Sequence, residues 1–419
     1  MLPTPNPPAT PDIYSFSTPE GHALCRPLIY AKLKYDPHDY QLEGVCKALD
    51  GIDLLAVTPT GSGKTGFLTM YLLMMHAIID NPSLCAPKKP PPHFRKDGAM
   101  VVVCRSRSTW CEPKFIQAGL RTLVINADTA DKERREKKAD IWDRAPDQHV
   151  LLLAPEQLSS KGFQDLLLKK VFQHRVVALG VDEAHLLVTW GKSFCKAFQA
   201  IGPARVRFDF PPILIVLTAT LRTGAHYHGV CTFLGLHHGH FHFIRRSNVR
   251  YDIRFLFRTV ASSAQGIMFP ELDWLLSEKR RVIVFCRTIA VCFRVAKYLM
   301  ARVELSDCTD YGTLDERIRM YTALDWDSYN EQTLITVHSG AASWAVVATD
   351  TLSVGVDISG TQDVVLYDFE LPVDSDAILQ KAGRIRDGKG EGSRVIVYLP
   401  RSAMEVCQSS EASEGDANR

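Results

Sequence analysis

The chain has 419 residues, 46% hydrophobic and 23% charged, enough for two or three domains with cores of their own. A formal net charge of +2 excludes reading a nucleic-acid or membrane partner from bulk electrostatics, so either would need a local basic groove. The eleven cysteines form no C-x2-C pair and the opening residues hold no apolar signal core, which argues against zinc and disulfide frameworks and for reduced thiols inside a cell.

Residues 1–29 begin MLPTPNPPATPDIYSFSTPEG, rich in proline, serine and threonine and without periodicity, and read as a disordered arm. From residue 30, short and almost wholly apolar runs (DLLAV, AMVVVC, TLVIN, HVLLLA, VVALGV, ILIVL) alternate with helical patterns. Strands of that kind are buried on both faces, so an α/β fold with a mainly parallel sheet is expected. FLTMYLLMMHAII, residues 67–79, is too short to span a bilayer and reads as a buried helix, so no membrane partner is expected. DKERREKKAD, residues 131–140, reads as a solvated helix face.

The pattern stalls in LGLHHGHFHFIRRSNVRYDIRF and resumes as RVIVFC, AVVAT, DVVLY and SRVIVYL. This predicts a first domain over 30–245, a linker over 246–262 and a second α/β domain over 263–400, followed by a disordered acidic tail over 401–419. His238, His240 and His242 fall on one face of any strand through HGHFH, which leaves a metal site or a solvated linker open, the latter favoured.

The chemistry concentrates in two segments of the first domain. DLLAVTPTGSGKTGF is a strand, a glycine turn and a helix, the setting in which successive backbone N–H groups converge on a phosphate. Thr60, Gly61, Ser62 and Gly63 would form the cradle, Lys64 would reach the β- and γ-phosphates and Thr65 would ligate magnesium. Thr58 opens the pattern where glycine or alanine is usual. VVALGVDEAHLL ends an apolar strand in two carboxylates, so Asp182 can hold the Mg2+ shell and Glu183 can polarise the attacking water. Together the two segments indicate hydrolysis of a nucleoside triphosphate.

With these motifs in this order, the sequence resembles the superfamily 2 DEAD/DEAH-box helicases, and more narrowly a RecQ-like helicase core of fungal type. The resemblance covers roughly residues 30–400 and implies two tandem RecA-like P-loop domains with a composite ATP site. It gives Tyr35 and Gln41 to the adenine, His185 to the DEAH box, and Glu156 and Gln157 to nucleic acid. Thr218 and Thr220 match the element that couples hydrolysis to strand binding, and Trp190, Phe194 and Phe198 match an aromatic-rich loop on which bases stack. In the second domain it gives Arg287, Thr288 and Thr349 to the sugar-phosphate backbone, Gly355, Asp357 and Gln380 to the nucleotide, and Arg384 and Arg386 to the transferring phosphoryl group.

Three departures stand out. The arginines of QKAGRIRDGKG are two residues apart rather than three, which makes Arg384, at i+4 from Gln380, the safer match. VVVCRSRSTWCEPKF replaces a proline-leucine strand-contact motif, with Arg105 and Arg107 as substitutes. Beyond residue 400 there is no cysteine-rich zinc platform, winged helix or accessory helical domain. The resemblance implies a 3′-to-5′ ATP-dependent helicase or translocase acting in the nucleus on single-stranded or tailed DNA. A degenerate nucleic-acid clamp with little hydrolysis stays open as an alternative, as does an RNA-directed ATPase, since no residue reads a 2′-hydroxyl recognisably.

Overall fold

The computed structural model describes residues 12–104, 112–136, 140–189, 200–260, 266–306, 316–338, 344–352, 358, 360–367, 374–385 and 392–400. The chain divides into two compact units, Met1–Ser247 and Asn248–Arg419.

The first unit is built on seven parallel strands: β1 (Asp53–Val57), β2 (Ala99–Val103), β3 (Thr122–Ile125), β4 (Val150–Leu153), β5 (Val176–Val181), β6 (Ile213–Thr218) and β7 (Phe241–Arg245). Their order in the sheet is β3-β4-β2-β5-β6-β1-β7. The two-residue period of a strand sorts the side chains between the faces. Leu54, Ala56, Met100 and Val102 pack into one core with the helices α1 (Pro19–Leu33), α2 (Asp39–Leu49) and α3 (Thr65–Asp80). Leu55, Val57, Val101 and Val103 pack into the other, against Phe163, Phe172 and Leu187. Apart from Ala56, each such side chain contributes roughly 1.5–3 kcal/mol on burial. Gly180 of β5 lets α3 approach closely, because a Cβ there would lie 2.9 Å from Leu68.

Residues 12–29 are not a disordered arm. Thr18 caps α1 by accepting the Gly21 N–H at 3.1 Å, Pro19 fills the first helical turn, and Cys25 and Ile29 are buried. Asp50 then accepts the Phe16 and Ser17 N–H groups at 2.6 and 2.9 Å, fastening the segment to the end of α2. The Ser-Thr-Pro composition that reads as disorder is capping chemistry here. Residues 1–11 and the tail 401–419 lie outside the described residues.

The second unit holds six parallel strands: β8 (Ile253–Thr259), β9 (Val282–Cys286), β10 (Ile318–Tyr321), β11 (Ala345–Ala348), β12 (Asp363–Tyr367) and β13 (Ser393–Leu399), in the order β10-β11-β9-β12-β13-β8. Val282, Val284, Val347, Val365 and Ile396 form its core with Phe269 and Leu299. Asp363, fully buried at the start of β12, is neutralised by Arg280 at 2.8 Å and Arg394 at 2.6 Å.

The segment 246–262 is likewise more than a linker. Residues 253–259 pair along their whole length with Ser393–Leu399 as an edge strand. Exposed Arg254 and Arg258 on that edge blunt it and hide the strand from a hydropathy reading. Of the three aligned histidines only His242 lies in a strand, with Nε2 3.0 Å from Glu43 Oε1. No group of His, Cys, Asp or Glu able to hold a metal occurs among the described residues, and His242, half-buried in β7, lies in the sheet rather than in a linker.

Candidate active site

The first unit's chemistry gathers at the carboxyl edge of its sheet, where ligands of open parallel sheets bind. There β1 ends in the phosphate loop and β5 in the acidic pair, with β6 between them. Thr58 continues β1 by donating its N–H to the Thr218 carbonyl at 3.0 Å. Gly61 and Gly63 turn the chain with φ of +87° and +77°, and α3 starts at Thr65. A Cβ at Gly63 would also lie 3.0 Å from Gln41 Nε2, so glycine is required there twice over. The unusual Thr58 is a brace: its hydroxyl accepts the Ser62 hydroxyl at 3.0 Å. Lys64 folds back over the loop, its Nζ 3.3 Å from the Pro59 carbonyl and 3.5 Å from that of Thr58.

Gln41 is 2% exposed, and its side chain is spent on the loop rather than held open. Nε2 donates to the carbonyls of Ser62 (3.2 Å) and Gly63 (3.1 Å), while Oε1 accepts the His38 N–H at 3.1 Å. Tyr40, which the motif reading passed over, donates its hydroxyl to the same Ser62 carbonyl at 3.2 Å, with His38 stacked on its ring and Arg246 across its face. The signal for it was its place in the turn before Gln41, on the same helix. Tyr35 is half-exposed, and its hydroxyl would be 3.2 Å from a Cβ at Gly66 in the first turn of α3.

The acidic turn is pinned from both sides: Asp182 N–H donates to the Val103 carbonyl (2.9 Å) and Ala184 N–H to that of Leu217 (3.1 Å). Asp182 Oδ1 accepts the Glu183 N–H at 2.9 Å. Burial pushes the Asp182 carboxyl up to about 6, the neighbouring Glu183 charge adds to this, and the Lys64 ammonium opposes it. Glu183 is held at φ +55°, a conformation that costs a non-glycine residue about 1–2 kcal/mol. Its buried Oε2 accepts no hydrogen bond from the described residues, although His185 Nδ1 is 3.4 Å away. A desolvated carboxyl beside an unsatisfied carboxylate oxygen is an anionic pair that a divalent cation would neutralise, so the donor set fits Mg2+.

His185 ties this turn to β6. Its Nδ1 lies 2.9 Å from Thr218 Oγ1, and Thr218 donates on to the Thr220 carbonyl at 3.0 Å. Thr218 therefore touches the phosphate loop through its carbonyl and the acidic turn through its hydroxyl. Glu156 and Gln157 lie in the 3-10 turn Pro155–Ser159 after β4, at the same sheet edge, with Glu156 exposed.

In the second unit, exposed Arg287 and Thr288 follow β9, and Thr288 Oγ1 accepts the Val291 N–H at 3.3 Å to start the helix Ile289–Ser306. Thr349 follows the neighbouring β11, is buried, and donates to Thr351 Oγ1 at 3.1 Å. Half-buried Gln380 lies on the helix Ser375–Ala382, and Arg384 follows that helix, 4% exposed. Trp190, Phe194, Phe198, Gly355, Asp357 and Arg386 lie outside the described residues, as do Arg105 and Arg107.

Residues 268–388 match the family of the helicase conserved C-terminal domain. The ATP-dependent DNA helicase RecQ of Haemophilus influenzae is 22% identical over 86% of this chain and 51% of its own length. The ATP-dependent DNA helicase hus2/rqh1 of Schizosaccharomyces pombe is 22% identical over 83% of this chain and 24% of its own. The matches support a RecQ-like superfamily 2 helicase core. The chain thus spans between a quarter and about half the length of these relatives. Among solved structures, the helicase MrfA bound to DNA and AMPPNP superposes with a TM-score of 0.68 at 17% identity, covering 89% of this chain and 50% of that one. Dbp5 of S. cerevisiae bound to RNA and ADP BeF3 gives 0.63 at 15% identity, covering 94% and 90%. At those identities the two superpositions bear on the tandem RecA-like fold, and no described helix is long and apolar enough to cross a membrane.

Proposed function

We propose that the chain is an ATP-dependent DNA helicase or translocase. The observation that carries this reading is the Thr218 junction, which joins phosphate loop and acidic turn within one sheet. In this mechanism Lys64 leaves its carbonyl partners for the β- and γ-phosphates, while the Gln41 and Tyr40 bonds keep the loop in shape. Thr65 and Asp182 would hold Mg2+, which neutralises phosphate charge when bound. Glu183, oriented by its strained backbone, takes the proton of the attacking water. Arg384 neutralises charge on the transferring phosphoryl group, with Arg386, Gln380, Gly355 and Asp357 around the nucleotide. Tyr35 faces the adenine. Glu156, Gln157, Arg287, Thr288, Thr349, Trp190 and Phe194 contact the strand. The 3′-to-5′ direction and a place in the nucleus follow from the family resemblance.

The test is ATP turnover with and without single-stranded DNA. Stimulation by DNA is expected, with Glu183→Gln lowering kcat by about a thousandfold. Turnover that ignores DNA, or that survives Glu183→Gln, would leave the clamp reading instead. Because the Dbp5 structure holds RNA on the same fold, a matched RNA strand belongs in the assay, and preferential stimulation by RNA would overturn the choice of DNA.

A further inference from the structure

We infer that Arg250 is a positioning residue for the turn that carries Arg384, an inference resting on the arginine's role in the proposed ATPase. Arg250 lies three residues past Ser247, where the first unit ends. Its guanidinium grips Asp252 with two donors, Nε to Oδ1 at 2.7 Å and a terminal nitrogen to Oδ2 at 2.6 Å. That same terminal nitrogen donates to the Ile385 carbonyl at 3.2 Å, 135 residues away in sequence.

The geometry explains why an arginine stands here. Its planar fork can satisfy a carboxylate with one edge and still offer a fixed proton to a carbonyl, which a lysine cannot do with the same rigidity. Asp252 aims the fork, and the Ile253 N–H, bonded to the Arg250 carbonyl at 3.3 Å, leads directly into β8. The carbonyl that is held belongs to the residue after Arg384. On its other side the turn hangs from the helix Ser375–Ala382 through Gly383 N–H to Leu379, Arg384 N–H to Lys381 and Ile385 N–H to Ala382, each at 3.0 Å. Lys381 is itself fixed to Asp350 at 2.8 Å. Arg384 is thus suspended between a helix end and a sheet edge, and Arg250 is the sheet-edge tie.

The experiment compares Arg250→Ala, Asp252→Asn and the control Arg254→Ala, an exposed neighbour on β8, in the full chain. Arg250→Ala is expected to lower kcat of DNA-stimulated hydrolysis about tenfold, with KM for ATP within about twofold and an unchanged melting midpoint. Asp252→Asn, which keeps one acceptor, loses about threefold, and Arg254→Ala changes nothing. Hydrogen exchange at the amides of residues 383–385 accelerates in the first two variants and not in the control. That readout needs no hydrolysis, so it decides the matter even if the wild-type chain proves inactive and the ATPase reading falls. Wild-type exchange and wild-type kcat in Arg250→Ala, or an equal loss in Arg254→Ala, would overturn the inference.

Discussion

The two units hold their functional groups in opposite ways. In the first, the groups sit on one contiguous loop and two strand ends, and each is tied to its neighbours: Gln41 and Tyr40 to the loop, Thr58 to Ser62 and Thr218, His185 to Thr218. In the second, Arg384 follows the end of a helix of eight residues, and the next carbonyl, that of Ile385, accepts a long-range hydrogen bond from Arg250. In the proposed ATPase the first arrangement is a preformed grip on nucleotide, and the second sets one arginine at a helix end. Residues that only shape the phosphate loop should then act on nucleotide affinity, and groups that meet the reacting atoms, Glu183 and Arg384, on the chemical step.

Arg384→Ala gives the sharpest separation. An arginine that neutralises phosphoryl charge in the transition state is worth about 10³ in kcat, so turnover should fall by that factor while KM for ATP stays within a few-fold. Steady-state kinetics with saturating DNA would show it. A rise in KM without loss of kcat would erase the distinction between the units.

Thr218→Val is a milder break, at the centre of the grip. It keeps the shape of the side chain and removes the hydroxyl that meets His185 Nδ1 and the Thr220 carbonyl. Deleting one member of a buried hydrogen-bonded network costs about 1–3 kcal/mol of stability. ATP hydrolysis should fall about tenfold and lose most of its stimulation by DNA, read as the ratio of turnover with and without a single strand. Stimulation retained in full would show that the acidic turn is not coupled through β6.

The grip was also the more legible part. A phosphate loop is written in consecutive residues, and its strand and helix flank it, so Gly61, Gly63, Lys64 and Thr65 could be placed from spacing alone. The parallel sheets followed from runs buried on both faces. What escaped were features whose meaning depends on remote partners. Phe16 and Ser17 look unstructured until Asp50 accepts their N–H groups. β8 reads as a linker because its edge arginines dilute its apolar pattern. Tyr40 has no motif of its own, and Arg250 acquires a purpose only when a carbonyl 135 residues away is brought beside it.

The smallest expected effect uses acid to tell the units apart. His338 is the only histidine after residue 247, so the other thirteen of fourteen lie in the first unit. Burial pushes the imidazoles of His76, His93 and His149 below their usual range. His76 Nε2 donates to the Gly98 carbonyl at 2.8 Å, and its ring meets that of His149 edge-on at 4.9 Å. His149 Nε2 lies 2.8 Å from Asp97 Oδ1, a carboxylate also held by Arg121 and Arg175 at 2.9 Å each. Because folding disfavours protonation of these rings, their contribution is complete above about pH 6.5, the unfolded value, and is lost as pH falls and the unfolded state takes up protons. Asp97 adds nothing to the change in that window. Burial raises its carboxyl, the two arginines and the His149 hydrogen bond outweigh this, and the depressed group stays ionised in both states until the pH nears 4. Lowering the pH from 7.5 to 5.5 should therefore drop the melting midpoint by about 2–4 °C per kcal/mol lost. His76→Gln keeps a donor for the Gly98 carbonyl but does not titrate, so it should flatten the drop. A fall of equal size in that variant, or a second-unit transition that moves as far, would assign acid sensitivity to groups outside this cluster.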